Sequence, residues 1–247
     1  MIKRIIKIFF GYLGWKLIKI NRRKPTGYPY GEPQFENLKC IMKSKGILHL
    51  GAHRGSEAVV YEWFNKKVVW VEAIPKIFNE LKDNIKFIYN QRAVCALLGD
   101  KDQEGKKFHI SNNDGACSSV FNFSNEVKTD KLWSDRSKND FEMIQALNLN
   151  MKKLDTVFLE NKIDPKEYDY WVMDLQGAEL IVLKGAENIL KHCNFVFTEI
   201  SKVEYYEGGC LWSELLKHLT SKGFQVVNMP SKNHDDVLFV RKYKDLS

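Results

Sequence analysis

The chain has no C-x-x-C pair, and its five cysteines (Cys40, Cys95, Cys117, Cys193 and Cys210) are scattered and odd in number. This pattern suggests neither a zinc knuckle nor a disulfide framework, and a reducing cytoplasm suits such thiols. Long apolar runs are missing as well. Near the N-terminus the longest uncharged stretch is Ile8 to Trp15, far short of the roughly 20 residues a spanning helix needs. Charge returns at Lys16 and Lys19, so the uncharged core of a secretion signal is absent too. Acids are absent from residues 1–24, which carry Lys3, Arg4, Lys7, Lys16, Lys19, Arg22, Arg23 and Lys24. These account for the formal charge of +7 and the pI near 9.0, and the remainder of the chain is close to neutral. Any attraction to anionic partners is therefore concentrated at the N-terminus.

What is present fits a folded enzyme. Apolar residues make up 44% and charged residues 28%, values that indicate neither disorder nor a membrane-embedded bundle. A chain of 247 residues has room for one sizeable core. Residues 1–24 read either as a basic, aromatic-bearing helix on an anionic membrane face or as a helix packed on the catalytic domain or on a second subunit of a homo-oligomer. Gly11 and Gly14 each weaken an isolated helix there by up to about 1 kcal/mol, so docking must hold it. The stretch RRKPTGYPYGEP then reads as an extended linker. The expected division is a helix and linker over 1–34 and a catalytic domain over 35–247, beginning near Phe35.

From Gly46 onward short apolar runs alternate with helical stretches, which is the signature of βαβ units and a mainly parallel sheet. Strands are expected at Ile47–Leu50, Lys67–Val71, near Phe87–Tyr89, at Tyr170–Met173 and at Phe195–Thr198. Ala93–Leu98 and Lys106–Ile110 read as extended segments. Helices are expected at Ser56–Asn65, Pro75–Asn84, Leu154–Glu160, Leu180–His192 and Leu211–Ser221. Residues 111–150 are polar and aperiodic, and read as an insertion or lid. Phe224–Met229 and Val237–Val240, separated by PSKNHDD, read as a closing antiparallel hairpin.

In such a sheet ligands bind beyond the carboxyl ends of the strands, where strand order reverses. The turn after the first strand reads HLGAHRGSEA, in which Gly51 and Gly55 permit close backbone approach. This is not the G-x-G-x-x-G that cradles a diphosphate. Glu72 closes the second strand about 20 residues later, where an acid binds both hydroxyls of a ribose. Together they point to a nucleoside carrying an amino-acid carboxylate. His53 sits in the loop and could touch that carboxylate or the acceptor, whereas His49, inside the strand, reads as a satisfied core histidine.

These residues resemble the FkbM family of methyltransferases over about Gly46 to Arg241, through HLGAHRGSE, VVWVEAIP, NNDGACSSVFNFS, LDTVFLE, WVMDLQGAELIVLKGAENIL and FVFTEIS. One departure is His49, where the family more often has an acid. The resemblance implies a class I methyltransferase fold, α/β and doubly wound, with S-adenosylmethionine as donor. It implies as acceptor an oxygen of a sugar or polyketide-like product, commonly in polysaccharide, lipopolysaccharide or antibiotic pathways. The residues expected around the cofactor are Gly51, Ala52, His53, Gly55, Glu72, Ala73, Ala93 and Asp174.

Methyl transfer to a hydroxyl needs alignment and a base within about 2.6–3.2 Å of the acceptor proton. Asp174 and Glu199 each close an apolar strand and so face the functional edge; Asp174 is the expected base, with Glu199 orienting the acceptor or a cation, and His53 a further candidate. A divalent cation is compatible with this pair but not called for. Asn113, Ser118 and Ser119, in the expected lid, and Gln176 are the acceptor-contacting candidates. A nucleic-acid enzyme acting on ribose hydroxyls is a rival reading, disfavoured because Lys184 falls on the wrong element for a Lys-Asp-Lys-Glu tetrad. A non-catalytic, membrane-associated nucleoside-binding module is a second rival. The favoured setting is the cytoplasm, at the inner face of a membrane.

Overall fold

A computed structural model describes residues 33–129 and 141–243, and the chain divides into units 1–34 and 35–247. The fold below concerns the second unit; the helix and membrane contact expected of residues 1–24 lie outside the described residues.

Two sheets form. The larger has seven strands in the order β3-β2-β1-β7-β8-β10-β9, and the smaller has three in the order β4-β6-β5. The chain enters through helix α1 (Pro33–Lys43) and strand β1 (Gly46–Leu50), then runs outward through α2 (Ala58–Trp63), β2 (Lys67–Glu72), α3 (Pro75–Ile85) and β3 (Gln91–Cys95). β4 (Leu97–Gly99), β5 (Gln103–Ser111) and β6 (Met143–Lys153) make the small sheet, with the short helix α4 (Glu126–Thr129) between the last two. After α5 (Leu154–Glu160) the chain returns to the centre as β7 (Tyr170–Met173) beside β1. It continues through α6 (Glu179–Lys184), β8 (Phe195–Ser201), α7 (Trp212–Ser221), β9 (Phe224–Val226) and β10 (His234–Arg241). β10 runs antiparallel to both β8 and β9. The expected parallel sheet closed by an antiparallel hairpin is therefore the observed one.

The central strands are buried along their whole length because helices cover both faces. Alternate residues supply the two cores. Leu48, Leu50, Val69, Val71, Trp171 and Met173 face α5, α6 and α7. Ile47, Val68, Trp70, Tyr170 and Val172 face α1, α2 and α3. In α3, Pro75 opens the helix and Ile77, Leu81 and Ile85 recur every four residues, which puts one apolar stripe on the sheet. His49 belongs to this second layer: it is stacked on Trp70 with ring centroids 4.7 Å apart, and its Nδ1 lies 3.1 Å from the Tyr61 hydroxyl. Burial lowers its pKa to about 4, which makes it a neutral core histidine, as expected.

Four expectations need correction. The third strand is not at residues 87–89 but begins at Gln91, since Phe87 and Tyr89 stand out in solvent before it. Residues 143–150, read as part of an aperiodic insertion, belong to the eleven-residue strand β6, paired antiparallel to β5. The helix expected over 180–192 stops at Lys184 and is capped by Gly185, which packs where a Cβ would come within 2.0 Å of the Gly99 carbonyl; a short 3-10 turn, Leu190–His192, follows. β8 runs on to Ser201, so Glu199 lies inside that strand rather than at its end.

Candidate functional site

The chain steps outward from β1 to β3 and crosses back to β7, so the loops after β1 and β7 part around a crevice at the carboxyl edge. At its floor they touch. The Asp174 amide donates to the Leu50 carbonyl at 3.0 Å. Gly51 adopts φ 78°, and a Cβ there would lie 1.8 Å from the Asp174 carbonyl oxygen, so no other residue fits. The crevice encloses about 260 Å³. Gly51, His53, Glu72, Ala73, Asp174 and Gln176 line one side, and Ile74, Ala96, Leu98 and Phe108 provide apolar walls.

Glu72 ties the site together. Its Oε2 accepts the His53 amide at 2.8 Å and its Oε1 accepts the Ile74 amide at 2.8 Å, so one carboxylate holds both the β1 turn and the β2 turn. Burial raises its pKa, opposed by the Ile74 and His53 amides. A carboxylate offers about four lone-pair sites, more than these amides use, and Glu72 lines the crevice. His53 itself adopts φ 46°. Its Nε2 lies 3.0 Å from the Arg54 guanidinium and 3.1 Å from the Asp114 carbonyl oxygen. The same guanidinium binds Glu80 of α3 at 2.5 Å and Asp114 at 2.7 Å, pinning the 112–118 loop over the crevice.

At the other end two carboxylates converge. Gln176, buried and held at φ 54°, donates one amide hydrogen to Asp174 Oδ1 and another to Glu199 Oε2, the latter at 2.9 Å. Its side-chain carbonyl accepts the Tyr206 hydroxyl, and its main-chain carbonyl accepts Ser119 Oγ at 2.8 Å. Glu199 Oε1 lies 2.7 Å from His234 Nε2. Asp236 stands directly across the ladder from Glu199. Enclosure by protein, and then the Glu199 charge, push the Asp174 pKa well up, although water still reaches this side chain through the mouth. Burial and Glu199 likewise raise Asp236 to about 6. Glu179 is raised to about 7 by burial; it accepts the Leu175 amide at 3.0 Å and so serves the turn ahead of its helix.

Of the residues expected at the cofactor, Gly51, His53, Glu72, Ala73 and Asp174 come together. Ala52 does not: its side chain is buried in the core. Gly55 is required by packing, since a Cβ would approach Leu81 to 2.6 Å. Ala93 packs against the core under α3, and Ala96 lines the crevice in its place. Among the acceptor candidates, Ser118 lines the crevice, but its Oγ accepts the Ser111 amide at 3.1 Å. Asn113 is spent inside its loop on Ser111 and Cys117, Ser119 on Gln176, and Gln176 on the two carboxylates. Tyr206, His234 and Asp236 were missed. His234 and Asp236 are two apart on one strand, an alternation hidden in a segment read as turn.

Among the described residues no group of three or more His, Cys, Asp or Glu could hold a metal ion. The residues do fit an adenosyl amino acid: a glycine floor, a carboxylate with acceptor sites to spare, and apolar walls.

Comparison with known proteins agrees. The Methyltransferase FkbM domain model matches residues 49–226. The 2-O-methyltransferase NoeI of Sinorhizobium fredii (strain NBRC 101917 / NGR234) is 26% identical over 199 residues, covering 78% of this chain and 77% of that protein. Among solved structures, a SAM-dependent methyltransferase from Aquifex aeolicus aligns with TM-score 0.45 at 12% identity, over 90% of this chain and 98% of that one. A TehB-like SAM-dependent methyltransferase from Corynebacterium glutamicum aligns with TM-score 0.41 at 11% identity, over 87% and 89%. With the family model covering most of the chain and its motifs building the crevice, the protein belongs to the FkbM family of methyltransferases.

Proposed function

We propose that this methyltransferase acts on a hydroxyl of a sugar or glycan, with Asp174 as the general base. The observation that carries the reading is the state of Asp174 at the crevice floor. Its Oδ1 is held by Gln176, while its Oδ2 accepts no hydrogen bond from a described residue. A carboxylate with one oxygen fixed and the other open at the crevice can take the proton of a hydroxyl aligned against it.

S-adenosylmethionine supplies a methyl group on a sulfonium. Gly51 would leave room for its amino-acid end, Glu72 would accept its ribose hydroxyls, and Ile74, Ala96, Leu98 and Phe108 would receive its adenine. Asp174 Oδ2 then takes the proton of the acceptor hydroxyl as its oxygen comes in line, while Gln176 and Glu199 fix the direction of that carboxylate. The name of the similar NoeI protein, a 2-O-methyltransferase, supports oxygen as the accepting atom. On this reading the chain serves glycan assembly. No helix of the described residues is long and apolar enough to cross a membrane, and the basic residues 1–24 would provide a peripheral contact.

The test is transfer of labelled methyl from S-adenosylmethionine to a panel of oligosaccharides, with RNA in parallel. An alkali-stable methyl ether on a sugar is the expected product. Label appearing only in RNA, or only as an alkali-labile ester, contradicts the reading.

A further inference from the structure

The edge of the sheet opposite the crevice carries aromatic side chains that the core does not use. Trp63, Phe87 and Tyr89 are 81%, 89% and 88% exposed. Trp63 ends α2 just before β2, and Phe87 and Tyr89 lie in the turn between α3 and β3. Asn65 and Asn90 adopt φ 50° and 63°, and these left-handed residues reverse the chain sharply into each strand. β2 and β3 are neighbours in the sheet, about 4.8 Å apart, so both turns lie at one edge, where Phe87 and Tyr89 line a groove and Trp63 stands outside its lining. Single exposed aromatics are ordinary, but a contiguous group marks an interaction surface.

The chemistry beside them is basic. The groove encloses about 750 Å³, and Lys67, Lys86, Arg92 and Lys162 in its walls outnumber Asp164 and Glu167. Lys67 is paired with Glu167 at 2.7 Å, and Lys86, 5.2 Å from the centre of the Phe87 ring, lies 4.0 Å from Asp83 at the rim, which leaves Arg92 and Lys162 as the cations in no ion pair with a described residue. Tryptophan, tyrosine and phenylalanine interleaved with lysine favour the headgroup layer of a bilayer, where rings are half-buried and cations meet phosphate. A single-stranded nucleic acid would call for a continuous cationic track, which the two acids interrupt.

We propose that this edge docks on an anionic phospholipid surface, with Trp63, Phe87 and Tyr89 entering the headgroup layer and Lys86, Arg92 and Lys162 facing lipid phosphates. The crevice, opening at the other edge, then stays turned to the aqueous side. This proposal is independent of the acceptor assignment.

The test is flotation of the full chain, saturated with S-adenosylhomocysteine, on vesicles of phosphatidylcholine with and without about one-third phosphatidylglycerol. The wild-type chain is expected to float with the anionic vesicles only, and to be released by high salt, which screens charge attraction. The triple variant Trp63→Ser/Phe87→Ser/Tyr89→Ser and the charge variant Lys86→Glu/Arg92→Glu should each lose about 10-fold or more in partition, since each lysine or arginine near such a surface contributes about 1 kcal/mol. Both should keep wild-type affinity for S-adenosylhomocysteine, which shows that they fold. Flotation of the variants at the wild-type level would assign membrane contact to another part of the chain and overturn the proposal. So would a wild-type chain that ignores anionic vesicles, that self-associates through this edge, or that binds RNA there instead.

Discussion

Replacing Glu72 by glutamine removes one charge and one acceptor oxygen from the point where two turns meet and where the proposed ribose site lies. In the folded chain both oxygens already accept buried amides, from His53 and Ile74, each at 2.8 Å. A carboxamide can satisfy only one of them, so one amide hydrogen faces an NH2 group and the fold loses about 1–3 kcal/mol. Two charge-assisted bonds to the ribose are weakened at the same time. Hydrogen bonds to charged groups are worth about 1.5–3 kcal/mol each and part of each survives, so cofactor binding should fall by about 2–4 kcal/mol, or roughly 30-fold to 1,000-fold in Kd. Calorimetric titration with S-adenosylhomocysteine measures this, with thermal unfolding run alongside to confirm that the variant is native. Glu167→Gln, at the opposite edge of the sheet, is the control and should leave Kd unchanged. A native Glu72→Gln variant that binds within about twofold of wild type would remove Glu72 from the ribose site and refute the argument.

Other expectations follow from the same geometry. Asp174→Asn should abolish turnover while leaving cofactor affinity within a few-fold; full turnover would eliminate Asp174 as the base. Gln176→Glu puts a third carboxyl between Asp174 and Glu199 and removes both clamping hydrogens, so the rising limb of the pH–rate profile should move to higher pH, and an unmoved profile would contradict the clamp. Glu179 is raised to about 7 and Asp236 to about 6, so the stability that each contributes is present below the ordinary carboxylate range and is lost as pH climbs from about 4 to above 7. Thermal unfolding of wild type and Glu179→Gln across that window isolates the first of these: the variant should gain on the wild type as pH rises, and a variant that loses ground with rising pH would show the sign to be wrong. Gly51→Ala meets the Asp174 backbone at 1.8 Å and should lose cofactor binding or folding altogether. Gly55→Ala meets only the flexible end of Leu81 and should cost about 1–2 kcal/mol, left-handed backbone included; equal effects of the two, read by chemical denaturation, would count against their different roles.

The parts of the fold that were legible from sequence are those where burial on both faces forces a continuous apolar run. β1, β2 and β7 are such strands, each followed at once by a glycine or an acid that ends the run at the functional edge. β6 was passed over although Leu147, Leu149 and Met151 alternate with Asn148 and Asn150, because its first residues, Met143 to Ala146, lie largely in water and carry neither a run nor an alternation. β3 was displaced because Phe87, Ile88 and Tyr89 look like a strand but two of the three face solvent, while the true strand, QRAVC, is polar at its start. In the site, Gly51, Glu72 and Asp174 could be found because their chemistry depends on position along a strand end. Tyr206 and His234 could not, and Gln176 was found only as an acceptor contact, because their role is to hold other side chains across elements that only the folded chain brings together. The serines and asparagines of the 111–119 stretch misled for the complementary reason: polar side chains in a tight loop spend themselves on the loop's own amides.

The central claim is that the β1 turn and Glu72 enclose one adenosyl group with its reactive end toward Asp174. A crystal structure of the complex with S-adenosylhomocysteine measures it directly. The account predicts both ribose hydroxyls within about 3.2 Å of the Glu72 carboxylate, the adenine between Ile74 and Phe108, and the sulfur facing Asp174. Ligand density elsewhere on the chain, or a Glu72 carboxylate that touches no part of the ligand, would contradict it.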